Sequence, residues 1–129
     1  DYDDEKGFDK ILLDAPCSGL GTLTKKPDIK WKKEILDLHK ISNVQSELLE
    51  KAASLIKVGG HIVYSTCTIE PDENFNIVKD FIFANPNFKL VKANEIFDEK
   101  YLDTNGCVQT YPHIHNIDGA FAAKIERIY

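Results

Sequence analysis

Apolar and polar positions alternate along the chain in blocks that predict its elements. Residues 8–14, Phe-Asp-Lys-Ile-Leu-Leu-Asp, are a short apolar run that ends at an acid and meets Ala-Pro-Cys-Ser-Gly, which is strong turn punctuation. A buried strand followed by a loop is predicted there. From Asn43 to Lys57, Val44, Leu48, Leu49, Ala52, Leu55 and Ile56 recur at three- and four-residue spacing, while Gln45, Glu47, Glu50, Lys51 and Ser54 fall elsewhere on the wheel. That spacing predicts an amphipathic helix which Gly59-Gly60 stops. His61–Thr66 is then β-branched and aromatic enough for a strand. Pro71, with Asp72 and Glu73 at the positive end of the helix dipole, predicts a second helix running to about Ala84, before Asn85-Pro86. Phe88–Val91 and Gly119–Ile125 read as further strands, with a turn at Asn105-Gly106.

Strand, helix, strand is a crossover unit, which places two parallel strands in one sheet with their carboxyl ends on one edge. The expected class is therefore α/β of the open, wound type. Residues 22–33 and 94–118 are the long irregular stretches, where functional loops are commonest. There is no internal repeat. A nucleotide-binding sheet of this type normally carries a glycine-rich turn after its first strand, yet the seven glycines here are scattered, and Gly19-Leu20-Gly21 lacks the third glycine of a dinucleotide fingerprint. The pattern is that of the second half of a wound fold, so residues 1–129 are expected to form one partial domain without a cofactor-binding first half.

Composition narrows the function classes. At 129 residues, 43% hydrophobic and 29% charged, the chain fits one folded domain rather than a disordered one. It has no apolar run of membrane-spanning length, and it opens on Asp1-Tyr2-Asp3-Asp4-Glu5-Lys6, the reverse of a secretion signal. A net charge of −5 argues against a stand-alone module held to nucleic acid by phosphate neutralisation alone. Residues 25–33 nonetheless carry net +4, from Lys25, Lys26, Lys30, Lys32 and Lys33 against Asp28. Cys17, Cys67 and Cys107 are an odd, widely spaced set that fits a reducing compartment, with cytoplasm the expected location.

The crossover brings chemistry together. Asp14-Ala15-Pro16-Cys17 follows the first strand and Ser65-Thr66-Cys67-Thr68 ends the second. Paired strands lie ~4.8 Å apart, so both thiols can reach one planar ligand. Pro16 fixes its own φ and holds Ala15 extended, which gives Cys17 a stiff placement. Packing is the ordinary role of an isolated buried cysteine. A metal site built from Cys17, Cys67, His113 and His115, or a Cys17–Cys67 redox pair, also stays open, although the ligands match no short-spacing zinc pattern. Cys107 reads as structural, His113 and His115 as loop hydrogen-bonding residues, and Tyr111 and Phe121 as core. Two thiols and an acid without a metal suit carbon 5 of a pyrimidine. That carbon is a poor nucleophile until a thiolate adds to carbon 6, and a base must later remove the carbon-5 proton. A carboxyl group at the ring nitrogen would stabilise the charge that develops.

At these residues the chain resembles a family. Asp14-Ala15-Pro16-Cys17-Ser18-Gly19-Leu20-Gly21-Thr22, then Lys26-Pro27-Asp28-Ile29-Lys30-Trp31, Tyr64-Ser65-Thr66-Cys67-Thr68 with Glu73-Asn74, and Pro112-His113 through Asp118-Gly119-Ala120-Phe121 resemble the catalytic half of the RNA cytosine-5 methyltransferases of the NOL1/NOP2/Sun family, whose bacterial members methylate 16S ribosomal RNA. The resemblance implies that Cys67 adds to cytosine, Cys17 assists release and Asp14 contacts the base. It also implies an S-adenosylmethionine-dependent, Rossmann-like class I fold of which this is the C-terminal half, with parallel strands and an antiparallel terminal hairpin. Asp14 and Pro16 would then lie at the methionine end of the cofactor. The family's glycine-rich cofactor loop and ribose-binding acid are not found here, and Ala120 stands where an aromatic is common. The chain alone is thus expected to be inactive, and its uncovered sheet edge to favour self-association or pairing with the missing half. The partner expected is RNA, single-stranded or looped, met by Lys25, Lys26, Lys30 and Lys32, with Trp31 more at home in the core.

Overall fold

The computed structural model describes residues 7–19 and 35–129. In chain order its elements are β1 (Phe8–Asp14), α1 (Ile35–Leu55), β2 (Ile56–Thr66), a 3-10 turn (Pro71–Glu73), α2 (Phe75–Ala84), β3 (Phe88–Val91), a 3-10 turn (Glu99–Tyr101), β4 (Val108–Thr110), the short α3 (Pro112–His115) and β5 (Ala120–Arg127). β1 and β2 are parallel, and β5 runs antiparallel beside β2. β3 and β4 both pair antiparallel with β5. They occupy one line: Val91 faces Lys124 and Val108 faces Ala122. Residues 92–107 are thus an excursion from a single strand path, pinched at its neck where Ala93 N–H donates to the Gly106 carbonyl at 2.9 Å.

The expected class, α/β with parallel strands and an antiparallel terminal hairpin, is present. Four local expectations need correction. β1 is a strand but not a buried one: Asp9, Lys10, Leu12 and Asp14 are exposed, since among the described residues only β2 flanks it. α1 begins at Ile35 and runs without a loop into β2, so Gly59-Gly60 lies inside the strand instead of ending the helix. Phe8 pairs with Ile56 and Lys10 with His61, so β2 spends five residues where β1 spends two. Gly60 fits this irregularity because a Cβ there would stand 2.8 Å from Ile56 Cγ1 and 2.9 Å from the Asp9 carbonyl. The second helix is likewise broken: the Pro71–Glu73 turn is separated from α2 by Asn74, at φ −113° and ψ −109°. Finally, Gln45 is fully buried while Val44 is exposed, so the inward stripe of α1 is Gln45, Leu49, Ala52 and Ala53.

The core lies between the helices and one face of the sheet. Leu49, Ala52 and Ala53 from α1 and Ile77, Val78 and Phe81 from α2 meet Ile62, Tyr64, Phe121, Ala123 and Ile125. Alternate residues of β2 and β5 are buried, the period expected of strands with one covered face. Edge-to-face ring pairs, Tyr64–Phe121 at 6.3 Å and Phe81–Phe88 at 5.1 Å, fix the packing. The opposite face carries Lys10, Leu12, His61, Val63 and Lys124, with Leu12 72% exposed. Among the described residues β1 pairs only with β2, and no described helix is long and apolar enough to cross a membrane.

Candidate active site

The parallel register places Asp14 opposite Ser65, so the Ala15–Ser18 loop and the Thr66–Thr68 segment leave the same edge of the sheet. Ala15 N–H donates to the Ser65 carbonyl at 2.9 Å, extending the ladder one step past the strand. Beyond it the two sulfurs converge: Cys17 Sγ lies 3.1 Å from Cys67 Sγ. The Cys67 backbone N–H also points at Cys17 Sγ, at 3.4 Å. Cys67 is exposed and Cys17 partly buried. Burial, with the Cys67 thiol next in effect, pushes the Cys17 pKa from 9.0 to about 11, so Cys17 keeps its proton at neutral pH. Asp14 is exposed at the tip of β1, where Ser65 Oγ donates to its Oδ1 at 3.1 Å. Pro16 is exposed, and its carbonyl accepts from Gln45 Nε2 at 2.8 Å.

Under the thiols lies a closed polar layer that the sequence patterns did not announce. Glu73, which the sequence marks as a helix-start acid, is 0% exposed. Its Oε1 accepts from Ser18 N–H at 2.7 Å and Gln45 Nε2 at 3.3 Å. Its Oε2 accepts from Ser18 Oγ at 2.6 Å and Thr68 Oγ1 at 3.0 Å. Tyr64 O–H anchors the Glu73 carbonyl at 2.6 Å. Asn74 continues the layer: its Oδ1 accepts from Thr66 Oγ1 at 2.5 Å, and its Nδ2 donates to the Thr68 carbonyl at 2.9 Å and to Gln109 Oε1 at 3.3 Å. Gln45 Oε1 has no donor among the described residues, so the two Nε2 bonds decide how that amide sits. The one hint in the sequence was the Glu73-Asn74 pair beside the Thr-Cys motif.

Other expectations divide. Lys25, Lys26, Lys30, Lys32 and Trp31 lie outside the described residues. Cys107 is 1% exposed and Phe121 is core, as expected. His115 is a loop hydrogen-bonder: its Nδ1 accepts from Tyr111 N–H at 2.9 Å, leaving Nε2 to donate to the Lys100 carbonyl at 2.5 Å. Tyr111, expected in the core, is only half-buried, its ring stacked on His115, because the α3 turn carries it to the surface. Among the described residues no three side chains of metal-ligating type converge.

Comparison with known proteins assigns this arrangement to a family. Residues 1–126 match the RsmB/F model, described as 16S rRNA methyltransferase. The chain belongs to that family. It is 39% identical over 136 residues to the 25S rRNA (cytosine-C(5))-methyltransferase nop2 of Schizosaccharomyces pombe, which covers 95% of this chain and 22% of that protein. It is 37% identical over 123 residues to the probable ribosomal RNA small subunit methyltransferase B of Bacillus subtilis, covering 93% and 28%. Among solved structures, NSun6 from Pyrococcus horikoshii with SFG superimposes with a TM-score of 0.75 at 32% identity, over 92% of this chain and 30% of that one. The chain thus spans about a quarter of the length of the curated relatives it matches. Its fold is the corresponding part of a Rossmann-like methyltransferase.

Proposed function

We propose that this chain supplies the thiol and target-base half of an RNA cytosine-5 methyltransferase, acting on ribosomal RNA as its named relatives do. The observation that carries the reading is the convergence of Cys17 and Cys67 sulfurs to 3.1 Å at an open sheet edge. Cys67, the exposed thiol, adds as thiolate to carbon 6 of cytosine, forming the S–C6 bond and moving the C5–C6 π electrons toward carbon 5 and the ring. Asp14, held by Ser65 beside that edge, hydrogen-bonds the ring nitrogen and amino group where charge develops. S-adenosylmethionine, when bound, would supply the electrophilic methyl to carbon 5, its S–CH3 bond breaking to leave the neutral thioether. The carbon-5 proton then leaves for water, the C5–C6 double bond re-forms, and the S–C6 bond breaks. Cys17, still a thiol near neutral pH, donates its S–H to the departing Cys67 sulfur.

For the methyl donor the fit is partial. Asp14 and Pro16 are exposed at the carboxyl edge of β1 and would meet its methionine end. No strand of this chain is followed by a G-x-G-x-x-G turn, so its nucleoside end has no cradle within these 129 residues. We read the 129 residues as one partial domain, inactive alone. The open edge of β1 pairs with the strands of a preceding half or, without them, with a second copy of the chain. Lys25, Lys26, Lys30 and Lys32 are proposed to meet RNA phosphates. The three free thiols suit a reducing compartment, which we take to be the cytoplasm.

The test is covalent trapping. RNA bearing 5-fluorocytosine cannot lose a proton from carbon 5, so the protein expressed from its complete reading frame should form a stable RNA adduct when the methyl donor is present. Cys67→Ser should abolish the adduct and Cys17→Ser should retain it. An adduct that persists in Cys67→Ser and vanishes in Cys17→Ser would reverse the two roles.

A further inference from the structure

We propose that Glu73 is the positioning residue that clamps the two cysteine segments together and so holds Cys17 where it can act on the bond made by Cys67. This rests on the thiol roles proposed above. The carboxylate bonds the residue that follows each cysteine: Ser18, through both N–H and Oγ, and Thr68, through Oγ1. Ser18 Oγ and Thr68 Oγ1 also lie 3.0 Å apart, closing a triangle on Oε2. On the other side of Cys17, the Pro16 carbonyl is tied to Gln45, whose same nitrogen reaches Glu73 Oε1. Cys17 is therefore bracketed on both sides by groups that meet at one carboxylate.

The sheet ladder stops at Ala15 N–H, two residues before Cys17. Past that point the links between the Pro-Cys loop and the Thr-Cys strand include the thiol contact, the Cys67 N–H aimed at Cys17 Sγ and the Glu73 layer. A carboxylate suits the place because four hydrogen atoms point at its two oxygens, and an ionised acid is an acceptor only. The layer is buried, so water cannot replace those bonds when the group is removed. The clamp touches neither substrate nor sulfur. Its effect on chemistry runs through the placement of Cys17, and release is the step it should govern.

The experiment uses the protein from its complete reading frame with ordinary cytosine RNA and the methyl donor. Turnover and the fraction of protein covalently bound to RNA are measured together. With Glu73→Ala, kcat should fall about 100-fold, the scale of an ångström-sized misplacement, with the RNA KM unchanged. Covalent adduct should accumulate, as it should for Cys17→Ser. Glu73→Gln should restore most turnover and clear the adduct, because its oxygen can serve Ser18 N–H and Gln45 while the two hydroxyls turn to accept from its amide. Simple loss of structure predicts the reverse, low turnover with no adduct. If Glu73→Ala does not fold, Ser18→Ala removes only the hydroxyl arm and should show the same adduct build-up in weaker form. A folded Glu73→Ala or Ser18→Ala protein that turns over like wild type, or that is slow without accumulating adduct, overturns the proposal. A wild-type protein that never traps 5-fluorocytosine RNA overturns the thiol chemistry beneath it, whatever Glu73 does.

Discussion

Two carboxylates organise two regions of this molecule, and they reach over different distances. In the excursion, Asp103 gathers its own neighbours: its Oδ1 accepts from Asn105 N–H at 2.8 Å and Cys107 N–H at 3.0 Å. Its backbone closes the same turn through Gly106 N–H at 3.1 Å and the Cys107 carbonyl at 2.8 Å. At the thiol edge, Glu73 gathers Ser18, Gln45 and Thr68, which stand 55, 28 and 5 residues away in sequence. Asp103 shapes one loop, whereas Glu73 joins three segments and is wholly buried. A local carboxylate can fail and leave the sheet intact. A long-range one cannot be removed without releasing donors on separate segments, Ser18 N–H among them.

The largest expected effect breaks or confirms that contrast directly. Glu73→Ala leaves the buried Ser18 N–H without its acceptor, at a cost of about 1–3 kcal/mol, and takes from Gln45 Nε2 one of its two acceptors, the Pro16 carbonyl remaining. Asp103→Ala should cost no more than about 1–2 kcal/mol, since the two bonds it removes are only part-buried and the backbone bonds of the turn remain. Urea unfolding of both variants measures the difference, and equal midpoints would remove the distinction between the regions. A smaller effect probes the turn alone. Gly106 sits at φ +83°, and a Cβ there would stand 2.7 Å from Lys92 Cγ and 3.2 Å from Lys92 Cα. Gly106→Ala should cost about 1–2 kcal/mol in the same assay while leaving the reactivity of Cys17 and Cys67 toward a thiol reagent unchanged. Altered thiol reactivity would mean that excursion and edge are coupled.

The same difference in reach explains what the sequence disclosed. β1, the second half of β2 and the convergence of the two thiols follow from short apolar runs and a crossover, which are local patterns with one topological rule. The turn at Asn105-Gly106 is equally legible, because the Asp103 bonds that close it span no more than four residues. The local pattern makes Glu73 a helix-start acid, since nothing within its own turn marks it as facing Ser18 across the fold. The wheel puts Gln45 on the polar side of α1 for a related reason: its burial depends on Pro16 and Glu73, neither of which is visible in a helical wheel. Gly59-Gly60 carried a strong stop signal, and tertiary packing of Gly60 against Ile56 and Asp9 overrode it. The family resemblance supplied roles for Cys17, Cys67 and Asp14, but the layer beneath them became visible only in three dimensions.

The subtlest expected effect is on alkaline stability, and it sets the partly open Cys17 against the sealed Cys107. Burial raises the Cys17 pKa from 9.0 to about 11; burial and then the Asp103 charge raise that of Cys107 from 9.0 to about 12. A thiol that keeps its proton to higher pH in the folded than in the unfolded chain stabilises the fold below pH 9. That stability drains away as pH climbs through the folded pKa, because unfolding then releases a proton. Burial raises the Tyr64 hydroxyl as well, which adds to the loss from about pH 10 upward in wild type and variants alike. Stability followed by urea titration from pH 8 to 12 should therefore fall above pH 9. Cys17→Ser should flatten the curve between pH 9 and 11 and leave its slope from 11 to 12 as in wild type. Cys107→Ser should flatten it over both intervals, because its thiol alone of the two still holds a proton above pH 11. Identical curves for the two variants would mean that the thiol edge shields its cysteine as completely as the excursion does, and the exposed, reactive character assigned to that edge would fail with them.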